Sequence, residues 1–277
     1  MQTEYTILCE NTVDGPMGLI GEHGWAVLIE TEDKRILFDT GQGMALIPNS
    51  RTLGKDLQHL DAIVISHGHY DHTLGLPSVL QQTGRIDVYG HPDMFITRYW
   101  ELDGELREIG IPYRREYLES LGACFQPVQE FTEIFDNIYL TGEVAGKTSF
   151  EGPDPHMKHR LENGSLEQDQ LRDDLSMVIR GEKGLVVVLG CAHAGLINIL
   201  NHVQNHLPGD PIYAVFGGTH LGFAGAEQFE QTLAALDSFN IQRIGAAHCT
   251  GMVRSSHLHN HYGDRFFFAA AGCRFSC

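Results

Sequence analysis

A short run of metal-binding side chains is the part of the sequence with the clearest chemical potential. Four potential ligands fall within six positions, and they are His67, His69, Asp71 and His72. On a tight loop, alternate side chains can converge on one point and an adjacent pair can turn to a second point. Three protein ligands with one open position hold catalytic zinc. Two such ions about 3.5–4 Å apart can activate a shared water, so the spacing predicts a centre with two metal ions.

Three further histidines stand where they could complete this centre. His193, His220 and His248 each follow a short apolar run by one to four residues. In an α/β sheet, residues just past the ends of strands gather along one edge, where ligands bind. Any one of them could be an ordinary hydrogen-bonded histidine, but three at equivalent positions favour a shared site.

The elements that must position these residues alternate between strands and helices. Apolar or β-branched runs predict strands over residues 5–10, 25–30, 35–39, 61–66, 86–89, 185–189, 212–216 and 243–247. A helix is predicted over residues 74–82, with Pro77 in its first turn. Two more helices are predicted in the second half, where apolar residues recur at helical spacing after two of the strands. This alternation indicates an α/β fold.

A single domain is the organisation that length and composition favour. The chain has 277 residues, of which 42% are hydrophobic and 20% charged, and this suits a packed core. Residues 143–173 differ because they are rich in Gly, Pro and charged residues. We therefore predict one domain over residues 1–277 with a polar loop or lid inserted around 143–173, since long loops in compact domains tend to be functional.

The composition also restricts partners and location. Lys and Arg total 19 against 36 Asp and Glu, and the net charge of −17 argues against nucleic acid as a partner, because phosphate backbones are bound by basic patches. No apolar run approaches the roughly 20 residues that span a bilayer, and no secretory signal is visible. The six cysteines are scattered, which indicates reduced thiols. We expect a cytoplasmic protein with a small-molecule substrate and no membrane partner; self-association stays open.

Five segments together resemble a known family. The pattern His67-x-His69-x-Asp71-His72 is the signature of the metallo-β-lactamase superfamily. The surrounding sequence resembles the subgroup of dihydropterin–ribofuranosylaminobenzene phosphate synthase-like proteins over residues 22–272. The segments that carry the resemblance are Phe38-Asp39-Thr40-Gly41, Ser66-His67-Gly68-His69-Tyr70-Asp71-His72-Thr73, Gly190-Cys191-Ala192-His193-Ala194-Gly195, Gly217-Gly218-Thr219-His220-Leu221 and His248-Cys249-Thr250-Gly251.

The resemblance implies a four-layer αββα sandwich, an α/β fold, with two divalent metal ions at one edge of its two sheets. Asp39 matches an aspartate below the site, which orients the ligand loops through hydrogen bonds. Zinc suits a histidine-rich site, and manganese, iron and nickel are alternatives. The implied ligands are His67, His69 and His193 for the first ion, and Asp71, His72 and His248 for the second.

His220 marks a departure from the family pattern. Most members carry an aspartate that bridges both ions on the loop between the third and last histidines, and His220 occupies the corresponding place. A neutral imidazole offers one ligand nitrogen and cannot bridge as a carboxylate does. Three alternatives stay open: water alone bridges, His220 binds one metal ion, or His220 is a free acid/base group.

The implied chemistry is activation of water against a carbonyl or phosphoryl centre. The sequence therefore predicts a metal-dependent hydrolase for a small anionic substrate, with Asp71 and His220 as catalytic residues. The alternatives are a pterin-related synthase or transferase that uses the same site, and a non-catalytic metal-binding protein. The residues predicted to contact substrate are His23, Thr219, Thr250 and Gly251.

Overall fold

Two seven-stranded sheets form the centre of the molecule, whose computed structural model describes residues 2–16 and 18–277. In spatial order, the first sheet contains β18 (Arg274–Ser276), β1 (Glu4–Cys9), β2 (Ala26–Glu30), β3 (Arg35–Phe38), β4 (Ala62–Val64), β5 (Ile86–Gly90) and β8 (Ala123–Pro127). The second sheet contains β17 (Phe266–Phe268), β16 (Arg243–Ala247), β15 (Ile212–Gly218), β14 (Gly184–Leu189), β13 (Met177–Gly181), β10 (Ile138–Leu140) and β9 (Thr132–Phe135).

Parallel pairing places the histidine-bearing strand ends side by side. In the second sheet, β14, β15 and β16 are parallel neighbours, and His193, His220 and His248 follow their carboxyl ends. In the first sheet, β4 runs parallel to β3 and β5, and the segment 67–72 follows it. Since carboxyl ends of parallel strands share one edge of a sheet, both sheets deliver histidines to such an edge.

Alternation of side chains along the strands separates the layers. In β14, Val186 and Val188 pack between the two sheets, whereas Val187 and Leu189 face the opposite side. Helices cover both outer faces, so the predicted αββα order of layers is confirmed. They are α1 (Leu46–Thr52), α3 (Leu76–Thr83) and α4 (Arg115–Ser120) beside the first sheet, and α5 (Leu196–His206), α6 (Ala226–Asp237) and α7 (Gly251–Tyr262) on the second. The single turn α2 (Tyr70–Thr73) contains Asp71 and His72.

The local sequence patterns located most of these elements. All eight predicted strands are present, with ends that differ by at most two residues, and the helix predicted over 74–82 is α3. Pro77 lies in the first turn of α3, where its missing N–H removes no helical hydrogen bond. No helix within the described residues combines the length and the apolar character that a bilayer span requires.

The segment predicted as a polar loop contributes two strands to a third, four-stranded antiparallel sheet. The segment predicted as a polar loop or lid around 143–173 therefore contains a hairpin, and its role as a lid stays a prediction. Composition could not reveal it, because the hairpin is completed by pairing with strands from a distant part of the chain. The order of this sheet is β12 (Leu166–Gln168), β11 (Met157–Arg160), β6 (Arg98–Leu102) and β7 (Glu105–Glu108).

A substitution of Phe216 tests the packing of the core between the two large sheets. Its ring is buried and lies edge-on to Tyr5, with 5.3 Å between the ring centroids. We expect Phe216→Ala to lower the free energy of unfolding by about 3–5 kcal/mol, because it leaves a cavity in this core. Urea unfolding of the metal-free protein measures the change. Phe268→Ala is the control, since Phe268 is 49% exposed and a surface change costs about 0.5 kcal/mol or less; equal losses would contradict the placement of Phe216.

Candidate metal centre

Asp39 fixes the start of the histidine segment, residues 66–72, through hydrogen bonds. Its side chain is fully buried, and its two carboxylate oxygens accept hydrogen bonds from the Ser66 backbone N–H and the Ser66 hydroxyl, both at 2.7 Å. One oxygen also lies 2.7 Å from His72 Nδ1. Burial disfavours a charged His72, but the Asp39 carboxylate outweighs it and raises the pKa of His72 to about 9. Because an ionised carboxylate only accepts, Nδ1 of His72 is a donor and Nε2 is the atom directed away from Asp39.

Two adjacent buried aspartates, which the sequence analysis missed, bind the same segment at Gly68 and the loop that carries His193. Asp173 Oδ2 accepts a hydrogen bond from the Gly68 backbone N–H at 2.8 Å. Asp174 Oδ2 accepts one from the Ala194 N–H, next to His193, at 2.9 Å. Burial raises the pKa of both carboxyls, that of Asp174 to about 7. The signal that could have found them is a pair of acids directly before an apolar strand, where burial is expected.

Arg98 supplies the positive charge beneath this arrangement. Its side chain is buried, Nη2 donates to Asp173 at 2.7 Å, and Nε donates to Asp169 at 2.8 Å. Gly68 packs directly on this group, because a Cβ at position 68 would lie 2.7 Å from Arg98 Nη1 and 1.9 Å from the Met94 carbonyl oxygen. The residue between the first two histidines of the segment must therefore be glycine.

His67, His69 and His193 form the first group of candidate ligands. Their ligand nitrogens lie within 4.8 Å of one another, and His67 Nε2 is 2.9 Å from His69 Nδ1. Burial lowers the pKa of all three well below the ordinary value, so they are neutral and offer lone pairs. The Nε2 atoms of His69 and His193 are buried and have no hydrogen-bond partner within the described residues. A bound cation would satisfy these atoms, so this group fits a metal ion.

Asp71 and His248 form a second group, which His23 joins. The three ligand atoms lie within 4.8 Å of one another, with Asp71 Oδ2 3.2 Å from His248 Nε2 and 3.1 Å from His23 Nε2. Burial opposes ionisation of Asp71, but hydrogen bonds from the two histidines hold its pKa well below the usual range. His23, predicted to contact substrate, is thus also placed as a candidate ligand.

His72 forms a third group of candidate ligands with His67 and the thiol of Cys191. Its Nε2 lies 3.2 Å from Cys191 Sγ, and the ligand atoms of His67, His72 and Cys191 lie within 4.8 Å of one another. The sequence analysis assigned no role to Cys191. The pairing of His72 with Asp71 and His248 around a second ion stays a prediction, although the His72 and His248 rings are only 5.1 Å apart.

His220 lies beside these groups and, within the described chain, is part of none of them. Its ring centroid is 4.4 Å from that of His193 and 4.7 Å from that of Phe223. Its Nε2 is 3.9 Å from Asp154 Oδ2, a buried oxygen with no hydrogen-bond partner among the described residues. Burial lowers the pKa of His220 to about 4. The predictions that His220 binds metal or acts in catalysis stay predictions.

The remaining predicted substrate residues lie nearby but differ in exposure. The hydroxyls of Thr219 and Thr250 contact each other at 2.8 Å, and Thr250 is fully buried. The Thr250 hydroxyl also accepts a hydrogen bond from the Thr219 backbone N–H at 3.2 Å, and a contact of Thr250 with substrate stays a prediction. Gly251 is exposed at the start of α7 and lines a neighbouring groove with His248. Thr219 lines a cavity together with His193 and His220.

A cavity of about 270 Å³ lies over the ligand groups. The third sheet forms one wall of it through Trp100, Arg107 and Met157. An adjoining cavity of about 250 Å³ shares the Trp100 wall and is lined by Asp154. The hairpin in segment 143–173 therefore faces the candidate metal centre.

Strained backbone conformations concentrate at the same edge. Asp39, Ala192, His220 and His248 have φ values of 61°, 57°, 54° and 51°, in the left-handed region that non-glycine residues rarely adopt. Each such residue costs of order 1–3 kcal/mol and persists where the surrounding structure enforces it. The strand ends are thus bent so that these side chains turn towards the site.

Comparisons with known proteins agree with this geometry. Residues 19–191 match the family model of the metallo-beta-lactamase superfamily. The chain is 30% identical over 264 residues to 7,8-dihydropterin-6-methyl-4-(beta-D-ribofuranosyl)-aminobenzene-5'-phosphate synthase of Methanocaldococcus jannaschii, which covers 91% of this chain and 88% of the relative. The crystal structure of Tm1679, a metal-dependent hydrolase of the beta-lactamase superfamily, matches with a TM-score of 0.84 and 27% identity over 99% of this chain and 98% of that one. A ribonuclease Z of Clostridium botulinum is 35% identical over 77 residues, which are 28% of this chain and 24% of that relative.

Arg98→Met tests the charge network beneath the histidine segment. The change leaves two buried carboxylates without their cation, so we expect the free energy of unfolding of the metal-free protein to fall by about 3–5 kcal/mol. Arg115→Met is the control, because Arg115 is 52% exposed in its pair with Glu119 and such pairs contribute about 0–1 kcal/mol. Urea unfolding measures both, and an Arg98 variant as stable as the control would refute the role of this network.

Proposed function

Because this chain belongs to the metallo-beta-lactamase superfamily, we propose that it is a metal-dependent hydrolase that attacks a phosphoryl or carbonyl centre in a small anionic molecule. One observation carries the proposal: a group of three histidines and a group containing Asp71 converge beneath one cavity. Hydrolysis requires water and substrate to meet the same cations, and a single cavity over both groups allows this.

The proposed centre holds two divalent ions. Imidazole nitrogen suits zinc, and manganese, iron and nickel bind related donor sets. Such ions lower the pKa of water and polarise the bond under attack. His23 is an additional candidate for the second ion, because it faces Asp71. The proposed ligands are His67, His69 and His193 for the first ion, and Asp71, His72 and His248 for the second.

The side chains of the cavity supply substrate contacts in this proposal. Arg107 is the one Arg or Lys among the described residues that line the cavity, so its guanidinium would attract an anionic group. His220 lines the same cavity. In this proposal it would either donate a hydrogen bond to a substrate oxygen or protonate the leaving group. Asp154 Oδ2 lies 3.9 Å from His220 Nε2, and its charge would favour the protonated form of this imidazole. Thr219 is placed to contact the part of a substrate that enters the adjoining cavity.

A pterin-related synthase is the second candidate. The observation that favours it is the similarity to the Methanocaldococcus jannaschii synthase, which extends over 91% of this chain. The same cations could polarise a leaving group while an amine or carbon nucleophile, in place of water, attacks. The two functions differ in the nucleophile, so identification of the product distinguishes a hydrolase from a synthase.

Metal content tests the proposed centre. We expect protein purified without added metal to carry two divalent ions per chain, and we expect His193→Ala to lose at least one of them, because it removes a direct ligand. Inductively coupled plasma mass spectrometry measures the content. His206→Ala is the control, since His206 is an exposed histidine whose Nδ1 contacts the His202 carbonyl oxygen at 2.9 Å. Equal metal content in both variants would disprove the assignment of His193.

Turnover of a substrate panel tests the hydrolase proposal. We expect wild-type protein to hydrolyse at least one class among phosphodiesters, lactones, thioesters and β-lactams. The rate should fall about 100-fold or more in Asp71→Ala. Loss of a residue that only hydrogen-bonds to a metal ligand lowers activity about 10–100-fold, and loss of a direct ligand should have a larger effect. Asp237→Ala is the control, since Asp237 pairs with His261 on the surface.

Equal rates in wild type and Asp71→Ala would rule out hydrolysis at this centre. Absence of hydrolysis by metal-loaded wild type, combined with formation of a carbon–nitrogen or carbon–carbon bond to a pterin, would favour the synthase. A metal-loaded protein without either activity would indicate a non-catalytic metal-binding protein.

A further inference from the structure

Cys191 lies beside His67 and His72, two of the candidate ligands. It follows β14, and its side chain is buried. Its Sγ is 3.2 Å from His72 Nε2, and the ligand atoms of His67, His72 and Cys191 are all within 4.8 Å of one another. His67 belongs to the first group, whereas His72 directly follows Asp71 of the second. The sulfur is therefore within reach of both ions of the proposed centre.

The other candidate ligands of the described residues provide no evident shared ligand for two ions. The family resemblance implies an aspartate that bridges both ions, and His220, at the corresponding place in the sequence, lies outside the ligand groups of the described chain. Among the described residues, Asp71 supplies the one carboxylate of these groups, and it faces His23 and His248. A neutral imidazole binds one cation at a time, so histidines alone cannot link the ions.

We propose that the Cys191 sulfur is a metal ligand that links the two ions, the role that an aspartate from a different place in the sequence has in most superfamily members. The inference rests on the proposed two-metal centre. When the cations bind, the thiol proton leaves to solvent and the sulfur lone pairs form one bond to the ion held by His67 and one to the ion held by His72. No oxidation or reduction accompanies this step. A thiolate ligand favours zinc over magnesium and manganese.

Cys249 provides a matched control in the same cavity. Its sulfur accepts a hydrogen bond from the His220 backbone N–H at 3.2 Å and contacts the Cys191 carbonyl oxygen at 3.5 Å. Within the described residues it belongs to none of the ligand groups. Replacing Cys249 by serine therefore separates the loss of a ligand from the general effect of removing a neighbouring thiol.

Cobalt substitution of the full-length protein under reducing conditions tests the proposal. We expect a near-ultraviolet thiolate-to-cobalt charge-transfer band in wild type and in Cys249→Ser, and we expect Cys191→Ser to lose it. Cys191→Ser should bind the second cobalt equivalent about tenfold more weakly or worse, since even outer partners of metal ligands contribute about 10–100-fold. Cys191→Asp should recover that affinity without recovering the band.

Two outcomes would overturn the proposal: a band that persists in Cys191→Ser, whatever the result for Cys249→Ser, or no band in wild type that carries two cobalt ions. If Cys191→Ser does not fold, X-ray absorption spectroscopy of zinc-loaded wild type tests whether a sulfur atom is bound to the metal. A sulfur scatterer at about 2.3 Å supports the proposal, and nitrogen and oxygen scatterers alone overturn it. Two bound ions without sulfur defeat only this inference, whereas failure to bind divalent ions defeats the proposed function as well.

Discussion

Hydrogen bonds from loop backbones to buried carboxylates are the interactions on which the site of this protein depends. Asp39, Asp173 and Asp174 each accept a backbone N–H from a loop that carries candidate ligands. A buried carboxylate without partners is costly, so each carboxylate and its loop restrict each other to one arrangement. Arg98 compensates the charge of Asp173 beneath the site. The histidines are therefore fixed by the fold before any ligand binds, which is the preorganisation that metal binding and catalysis require.

Buried carboxylates and neutral imidazoles occupy different depths around this site. Below the histidines lie buried carboxylates, and at the level of the cavity lie imidazoles that burial keeps neutral, such as His67 and His193. The whole chain carries a net charge of −17. Cations at the level of the imidazoles would satisfy the unpartnered nitrogens and reverse the local sign of the potential. An acidic protein can thus present a locally positive centre to an anionic molecule.

The fold enforces strained backbone conformations at the strand ends, and its third sheet covers the cavity at that edge. His220 and His248 hold left-handed backbone conformations directly after β15 and β16, which pair in parallel within a sheet buried between layers. A rigid sheet can offset such strain, because the strand ends cannot relax without breaking their pairing. The third sheet adds Trp100 and Met157 as a wall over the same edge. Rigid strand ends below and a separate small sheet above therefore enclose the cavity.

The sequence by itself indicated the alternation of strands and helices and the principal candidate ligands, because these depend on local patterns, and its resemblance to a known family implied the sandwich. Apolar runs marked the buried strands, and the ligands either share one loop, as His67 and His72 do, or directly follow a strand. The tertiary structure alone revealed the contacts of Asp173 and Cys191. Their contacts with Gly68 and His72 join residues 105 and 119 positions apart, and they arise only when the two sheets pack together. The β11–β12 hairpin likewise became visible only through its distant partner β6. Local composition carries no information about such pairings, since they are set by packing between layers.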